Sequence, residues 1–250
     1  MSKAATRDLD GDDKLTVGKD IVGHQENNDH IKHWIYAMGE KSIKINDDKT
    51  LEIMTLSERQ VNVIDKLYSL MVDGEMTFTG TYDTFRTGNA LFQGVMLGNI
   101  NSFRDMTQDF GIAPMPKYDE EQKNYGGYVS NGWTTALAVP MNCTDRDFTG
   151  ICLEVLSAYS TDTVRAALYD VLLTNKLIRD KESIEMIDII LANKTYDWAV
   201  DFDWGSSFAA AYNNIYNNRN NNYVSAATSK LQTQQSILNE LAEFIKNSED

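Results

Sequence analysis

Apolar side chains recur along this chain with two different periods, and the switches between them mark its elements. Ile31, Trp34, Ile35 and Met38 fall at helical spacing and stop at Gly39, which predicts a short amphipathic helix. Residues 42–46 and 50–54 alternate apolar and polar positions around Asp47, Asp48 and Lys49, the pattern of a hairpin. Ser57 followed by Gln60 forms a capping box, and Val61, Ile64, Leu67, Tyr68 and Met71 carry a buried helical stripe to Gly74. Residues 77–88 show neither period and read as a loop. Residues 90–100 read as an apolar strand in which Gly94 and Gly98 let another backbone or a ligand come close.

The stretch that organises the rest runs from Phe110 to Pro140. Two apolar runs, 110–115 and 134–139, predict strands on either side of a polar turn region. Pro114, Pro116 and Pro140 are the three prolines of the chain. Each removes a ladder donor, so they mark strand edges or crossings. Between the runs, Tyr125, Tyr128 and Trp133 alternate with Gly126, Gly127, Asn131 and Gly132. Rings that cover C–H faces beside amides that serve hydroxyls suit a neutral, hydroxyl-rich ligand.

Beyond Pro140 the chain turns helical. Three helices are predicted, capped by Thr144 or Asp145, by Thr161 or Asp162, and by Asp180. Their inward faces would carry Ile151, Val155 and Leu156, then Val164, Leu168, Val171 and Leu172, then Ile184, Ile187, Ile190 and Leu191. In residues 194–212 the aromatics Tyr196, Trp198, Phe202, Trp204, Phe208 and Tyr212 crowd around Asp197, Asp201 and Asp203. Residues 213–222 are asparagine-rich and without apolar period. A closing helix from Ser225 would turn Leu231, Leu238, Leu241 and Ile245 inward.

The run FGIAPMPKYDEEQ, the polar-aromatic turn after it, and ALAVP together resemble the crossing segment of bacterial extracellular solute-binding proteins. These serve sugar ABC importers and are two-lobed relatives of maltose-binding protein. The likeness covers only the later part of that architecture. It implies an α/β, type II periplasmic-binding-protein-like fold with a helix-rich C-terminal half. Residues 1–110 would form one lobe nearly complete and 111–195 the crossing segment with part of the other lobe. Residues 196–250 would return as helices to the first of these. It implies capture of a mono- or oligosaccharide between lobes and delivery to membrane permease subunits, by a monomer. It also implies an extracellular lipoprotein whose leader and anchoring cysteine would lie upstream.

On the same resemblance, Asn101, Ser102, Phe103 and Arg104 stand where that family places sugar-contacting side chains, and Trp204 is its best match for an aromatic returning to the cleft. With Tyr128, Asn131 and Trp133 they make up the candidate ligand site. For Ser102 and Phe103 a helix cap and a core ring are equally open readings.

Charge narrows the partners. A net charge of −14 over 250 residues argues against nucleic acid or an anionic membrane surface. No apolar run reaches the roughly 18 residues of a spanning helix. Asp8, Asp10 and Asp12 alternate as calcium-loop oxygens do, followed by the Lys14 carbonyl and Thr16. The position that wants glycine holds Asp13, and the one that wants glutamate holds Lys19. Calcium is the one cofactor this chain suggests, with a plain acidic turn as the alternative. His24, His30 and His33 lack a helix-face pair and read as solvent-facing or capping. Cys143 and Cys152 are too few for a disulfide framework and read as small, partly buried thiols.

The rival reading is a glycoside hydrolase, which needs two carboxylates about 5–9.5 Å apart. Asp201 and Asp203, set among aromatics, are the one pair that suits it. A carbohydrate-binding surface module without transport is a third reading.

Overall fold

The strand that seeds the architecture is β1 (Val22–Glu26), buried at four of its five positions because it lies between two others. After it come α1 (Ile31–Ala37), the hairpin β2 (Ile43–Ile45) and β3 (Leu51–Ile53), and α2 (Glu58–Val72). Then follow β4 (Thr77–Phe78), α3 (Asp83–Arg86), β5 (Ala90–Gln93) and a 3₁₀ helix (Leu97–Phe103). The remaining elements are β6 (Gly127–Tyr128), α4 (Arg146–Thr174), α5 (Lys181–Ala192), β7 (Lys194–Thr195) and α6 (Tyr223–Ser248). This computed structural model describes residues 5–16, 18–26, 31–48, 50–72, 77–78, 81–129, 137–174, 180–197, 199 and 220–248.

The parallel sheet has the order β4-β1-β5, with Val22 opposite Ala90, Gln25 opposite both Thr77 and Gln93, and Glu26 opposite Phe78. The predicted hairpin forms, with Ile43 paired to Ile53 and Ile45 to Leu51. A second parallel pair, β6 with β7, joins Gly127 to Lys194 and Tyr128 to Thr195. Mixed helices and small sheets of this kind agree with the α/β class.

The main core gathers Trp34, Ile35 and Met38 beyond and within α1, Val63, Ile64 and Leu67 of α2, and Tyr223 and Ala227 of α6. Local chemistry fixes each helix. Ser57 Oγ accepts from Gln60 N at 3.1 Å and starts α2. Gly39, at φ 88°, reverses the chain after α1, so that Gly39 N bonds Tyr36 O and Glu40 N bonds Ile35 O. Gln60 Nε2 donates to the Tyr223 hydroxyl at 3.2 Å, and that hydroxyl donates to Thr55 O. Burial pushes the Tyr223 phenol well above its ordinary range.

A second core, with Ile100 and Ile187 buried, packs Phe110, Ile112, Tyr169 and Leu191 around them. A third holds Ile43, Ala199 and Leu238. Cys143 and Cys152 are free, partly buried thiols.

Four expectations give way. The stretch 77–88 is not a plain loop but holds β4 and α3, both too short to show a period. Residues 90–100 are strand only to Gln93 and then turn into the 3₁₀ helix. Residues 110–115 form no ladder: Ile112 N donates to Ser183 Oγ at 2.9 Å, and the prolines withhold donors of their own. In the other run of the same expectation, 134–139, residues 137–139 are likewise outside any strand and 134–136 lie outside the described residues.

The fourth concerns the helices. Asp145 and Asp180 cap as predicted, accepting from Phe148 N at 2.9 Å and Ser183 N at 2.7 Å. Thr161 does not cap a new helix, because its hydroxyl bonds back to Ser157 O at 3.2 Å inside one continuous α4. Along α4, Ile151, Val155, Leu156, Val164 and Leu168 are exposed rather than inward. On α6 the inward stripe is Tyr223, Ala227, Gln234 and Leu238, with Leu231 turned outward. Among the described residues no helix is long and apolar enough to cross a membrane.

Candidate functional site

Three stretches far apart in sequence converge just beyond the carboxyl end of β5. Residues 93–97 leave the sheet, residues 110–115 cross over, and residues 125–129 return beside β7. They enclose a cavity of about 330 Å³, closed on the far side by Ile190, Leu191, Asn193 and Lys194. Open α/β sheets hold ligands at such carboxyl ends, and the volume lies within the usual range for small-molecule sites.

Two glycines shape this wall. A Cβ on Gly94 would overlap the Glu26 carboxylate, which is wholly buried behind it. Glu26 Oε2 accepts from Trp34 Nε1 at 2.8 Å and lies 3.3 Å from His24 Nε2. Gly126 presses on the end of α1, where a Cβ would overlap the Tyr36 carbonyl. That contact seats Tyr128 flat on Tyr36, with centroids 4.6 Å apart and 17° between planes. The His33 ring meets Tyr128 edge-on at 5.3 Å, and Lys32 Nζ stands 5.4 Å above it.

Of the residues expected to hold a ligand, Tyr128 and Phe103 line this cavity. Phe103 is also core: it is 2% exposed and packs against Tyr82, Phe85 and Phe110 at 5.3 to 5.7 Å. The core reading of Phe103 therefore holds, in a ring that also borders the cavity. Asn101, Ser102 and Arg104 are exposed and do not line it; Arg104 pairs instead with Asp105 at 3.5 Å. The 3₁₀ turn accounts for this, since it sends Phe103 inward and its neighbours outward. Asn131, Trp133 and Trp204 lie outside the described residues, as do Asp201, Asp203 and His30.

His24 is not solvent-facing. Its ring sits edge-on to Trp34 at 5.1 Å, in the strand that also carries Glu26. The Glu26–Trp34 bond went unread because it joins a strand residue to a helix residue, and neither position breaks its own pattern.

A larger hollow of about 500 Å³ lies between Glu40, Lys41, Lys44, Arg59 and Asp197. Its charges already serve one another: Arg59 binds Glu40 at 2.9 Å and Asp119 at 3.4 Å. Burial raises the Glu40 carboxyl above its usual range, and Arg59 opposes that rise. Asp197 is spent on backbone and Tyr36.

The acidic turn regroups. Asp8 and Asp10 bring carboxylate oxygens within 4.8 Å of one another and of Asp20, and these three could hold a cation. Asp12 departs from the expected set: it lies outside this group, and its Oδ1 accepts from Lys14 N at 2.9 Å. Asp13 takes the left-handed conformation, φ 59°, at the position where a calcium loop carries glycine. Asp20 accepts from Leu9 N at 2.8 Å and Thr16 N at 2.7 Å, and these bonds hold its carboxyl below the usual carboxylate range. A lowered folded value stabilises the fold above the unfolded value of about 3.9, and that contribution disappears as pH falls through the folded one. The melting-temperature gap between wild type and Asp20→Asn is expected to be constant above about pH 5 and to narrow below about pH 4. A gap that stays level down to pH 3 would refute this role.

No protein-family model matches the chain, and no curated protein matches it.

Proposed function

We propose that the chain captures a small solute in the cavity beyond the parallel sheet and breaks no bond in it. The observation that carries this reading is the make-up of the wall. Among the described residues it holds rings, amides, the His33 imidazole and the Lys194 amine, but no Ser, Thr, Cys, Asp or Glu side chain that could serve as the hydroxyl, thiol or carboxylate partner of either. Hydrolysis of a glycoside needs a carboxylate pair, and nucleophilic catalysis needs an activated hydroxyl, thiol or similar group. Capture needs only shape, stacking and placed hydrogen bonds.

On this reading the chain is the solute-binding component of an ABC importer, with a type II periplasmic-binding-protein-like fold, outside the cell and partnered by permease subunits. Its support is the resemblance of residues 110–140, together with the convergence of residues 110–115 and 125–129 on the cavity. A carbohydrate is the solute that the resemblance implies. Tyr125 and Tyr128, with the amides of Gln93 and Asn193, are the groups on the wall that favour one. The rest of the wall is mostly aliphatic.

Calorimetric titration against a panel of small solutes, sugars included, tests the reading. One saturable site is expected, with the solute recovered unchanged. New reducing ends appearing from an oligosaccharide would overturn it in favour of a hydrolase.

A further inference from the structure

We infer that the solute of this cavity is a compact, largely apolar ring molecule that brings one N–H or O–H donor to Gln93, and is not a polyol. This rests on the capture reading and, within it, replaces the carbohydrate that the resemblance implies.

Most of the wall offers nothing to a hydroxyl. Val95, Leu97, Ile100, Ile112, Val129 and Leu191 are aliphatic, and Phe103 and Phe110 add ring surface. A polyol seated here would exchange its hydrogen bonds to water for contacts with carbon, which disfavours entry. An apolar ring gains by the same exchange. The cavity, about 330 Å³, has room for a fused bicyclic ring. Among the described residues no acidic side chain lines it, although the chain carries 37 acids against 23 bases.

The polar groups on the wall are largely committed. Asn193 Nδ2 donates to Ile189 O at 2.8 Å, and Gln93 Nε2 donates to Gly94 O at 2.7 Å. Gln93 Oε1 is different: it is buried and has no hydrogen-bond partner. Gln25, directly opposite it on β1, is wholly buried, and its Oε1 is also without a partner. Side chains opposite one another in a sheet share a face. Two buried acceptors therefore belong to facing positions at the end of the sheet, one of them, Gln93, on the cavity wall, and among the described residues neither is given a donor. Buried polar atoms are rarely left so, and a guest that donates supplies what is missing.

Indole is the probe, because it is an apolar bicycle with a single N–H. N-methylindole has almost the same body and no donor. Titrated calorimetrically into the full chain, indole is expected to bind at one site about tenfold more tightly than N-methylindole. Gln93→Leu is expected to lower indole to the level of N-methylindole and to leave N-methylindole unchanged. If that variant does not fold, the comparison of the two ligands on the unaltered protein still decides. Equal binding of the two indoles overturns the inference. Binding of D-glucose or maltose in place of the indoles overturns it too, and leaves capture standing. Binding of neither class overturns both readings.

Discussion

Replacing Gly126 with alanine is expected to destabilise the fold by about 3 kcal/mol, the upper part of the usual range for overpacking. The added methyl would overlap the Tyr36 carbonyl oxygen, and it would come within 3.1 Å of the Tyr36 carbonyl carbon and 3.2 Å of Ala37 Cα. All three are backbone atoms, which cannot rotate away as a side chain can. Neither side has slack. Tyr36 O accepts from Gly39 N in the reversal that closes α1, and the Tyr36 ring stacks on Tyr128 two residues from the substitution. The neighbouring glycine provides the control. A Cβ on Gly127 comes no nearer than 4.0 Å, to Asn193 O, so Gly127→Ala should change stability far less. Urea unfolding reads both, and a Gly126→Ala midpoint equal to that of the wild type would refute the contact.

Truncating Asp197 to alanine should cost a similar amount, also about 3 kcal/mol, by a different route. This carboxylate is 1% exposed and serves three donors: the Tyr36 hydroxyl at 2.8 Å, Ser42 N at 2.6 Å and Ala199 N at 3.1 Å. It thereby ties the segment after β7 to α1 and to the start of the hairpin. Truncation removes an acceptor from all three at once, and buried donors left short cost more than the bonds themselves supplied. Two milder variants calibrate the result. Tyr36→Phe deletes one bond and should cost about 1 kcal/mol, while Asp197→Asn keeps one carbonyl acceptor and should fall between them. Thermal melts that rank Tyr36→Phe as the most damaging of the three would contradict this division.

What could be read from the sequence was local. The hairpin 42–54, the Ser57 cap, the α1 stripe and the Asp180 cap each involve residues within a few positions of one another. Their periods and side-chain chemistry suffice to predict them. What escaped was one local contact and several set by distance. Ser157 captured the hydroxyl of Thr161, so a residue that caps well at a helix start served a helix interior, and two predicted helices became one. The run 110–115 has strand-like composition, yet its ladder partner would have to come from elsewhere in the fold, and none is found among the described residues. The candidate site divides along the same line. Tyr128 was legible as an aromatic in a glycine-rich turn, and Phe103 only through the resemblance. The predominantly aliphatic wall and the paired Gln25 and Gln93 acceptors depend on a strand register that no local pattern encodes.

The bond between Gln60 and Tyr223 spans 163 positions of sequence. At a synthesis rate of about 5–20 residues per second, Tyr223 emerges from the ribosome roughly 8–33 s after Gln60. Through that interval the apolar faces of α1 and α2 have no lid, although each helix is able to form. The nascent chain must therefore wait, half assembled, for α6, and that delay is when a chaperone would matter most to it.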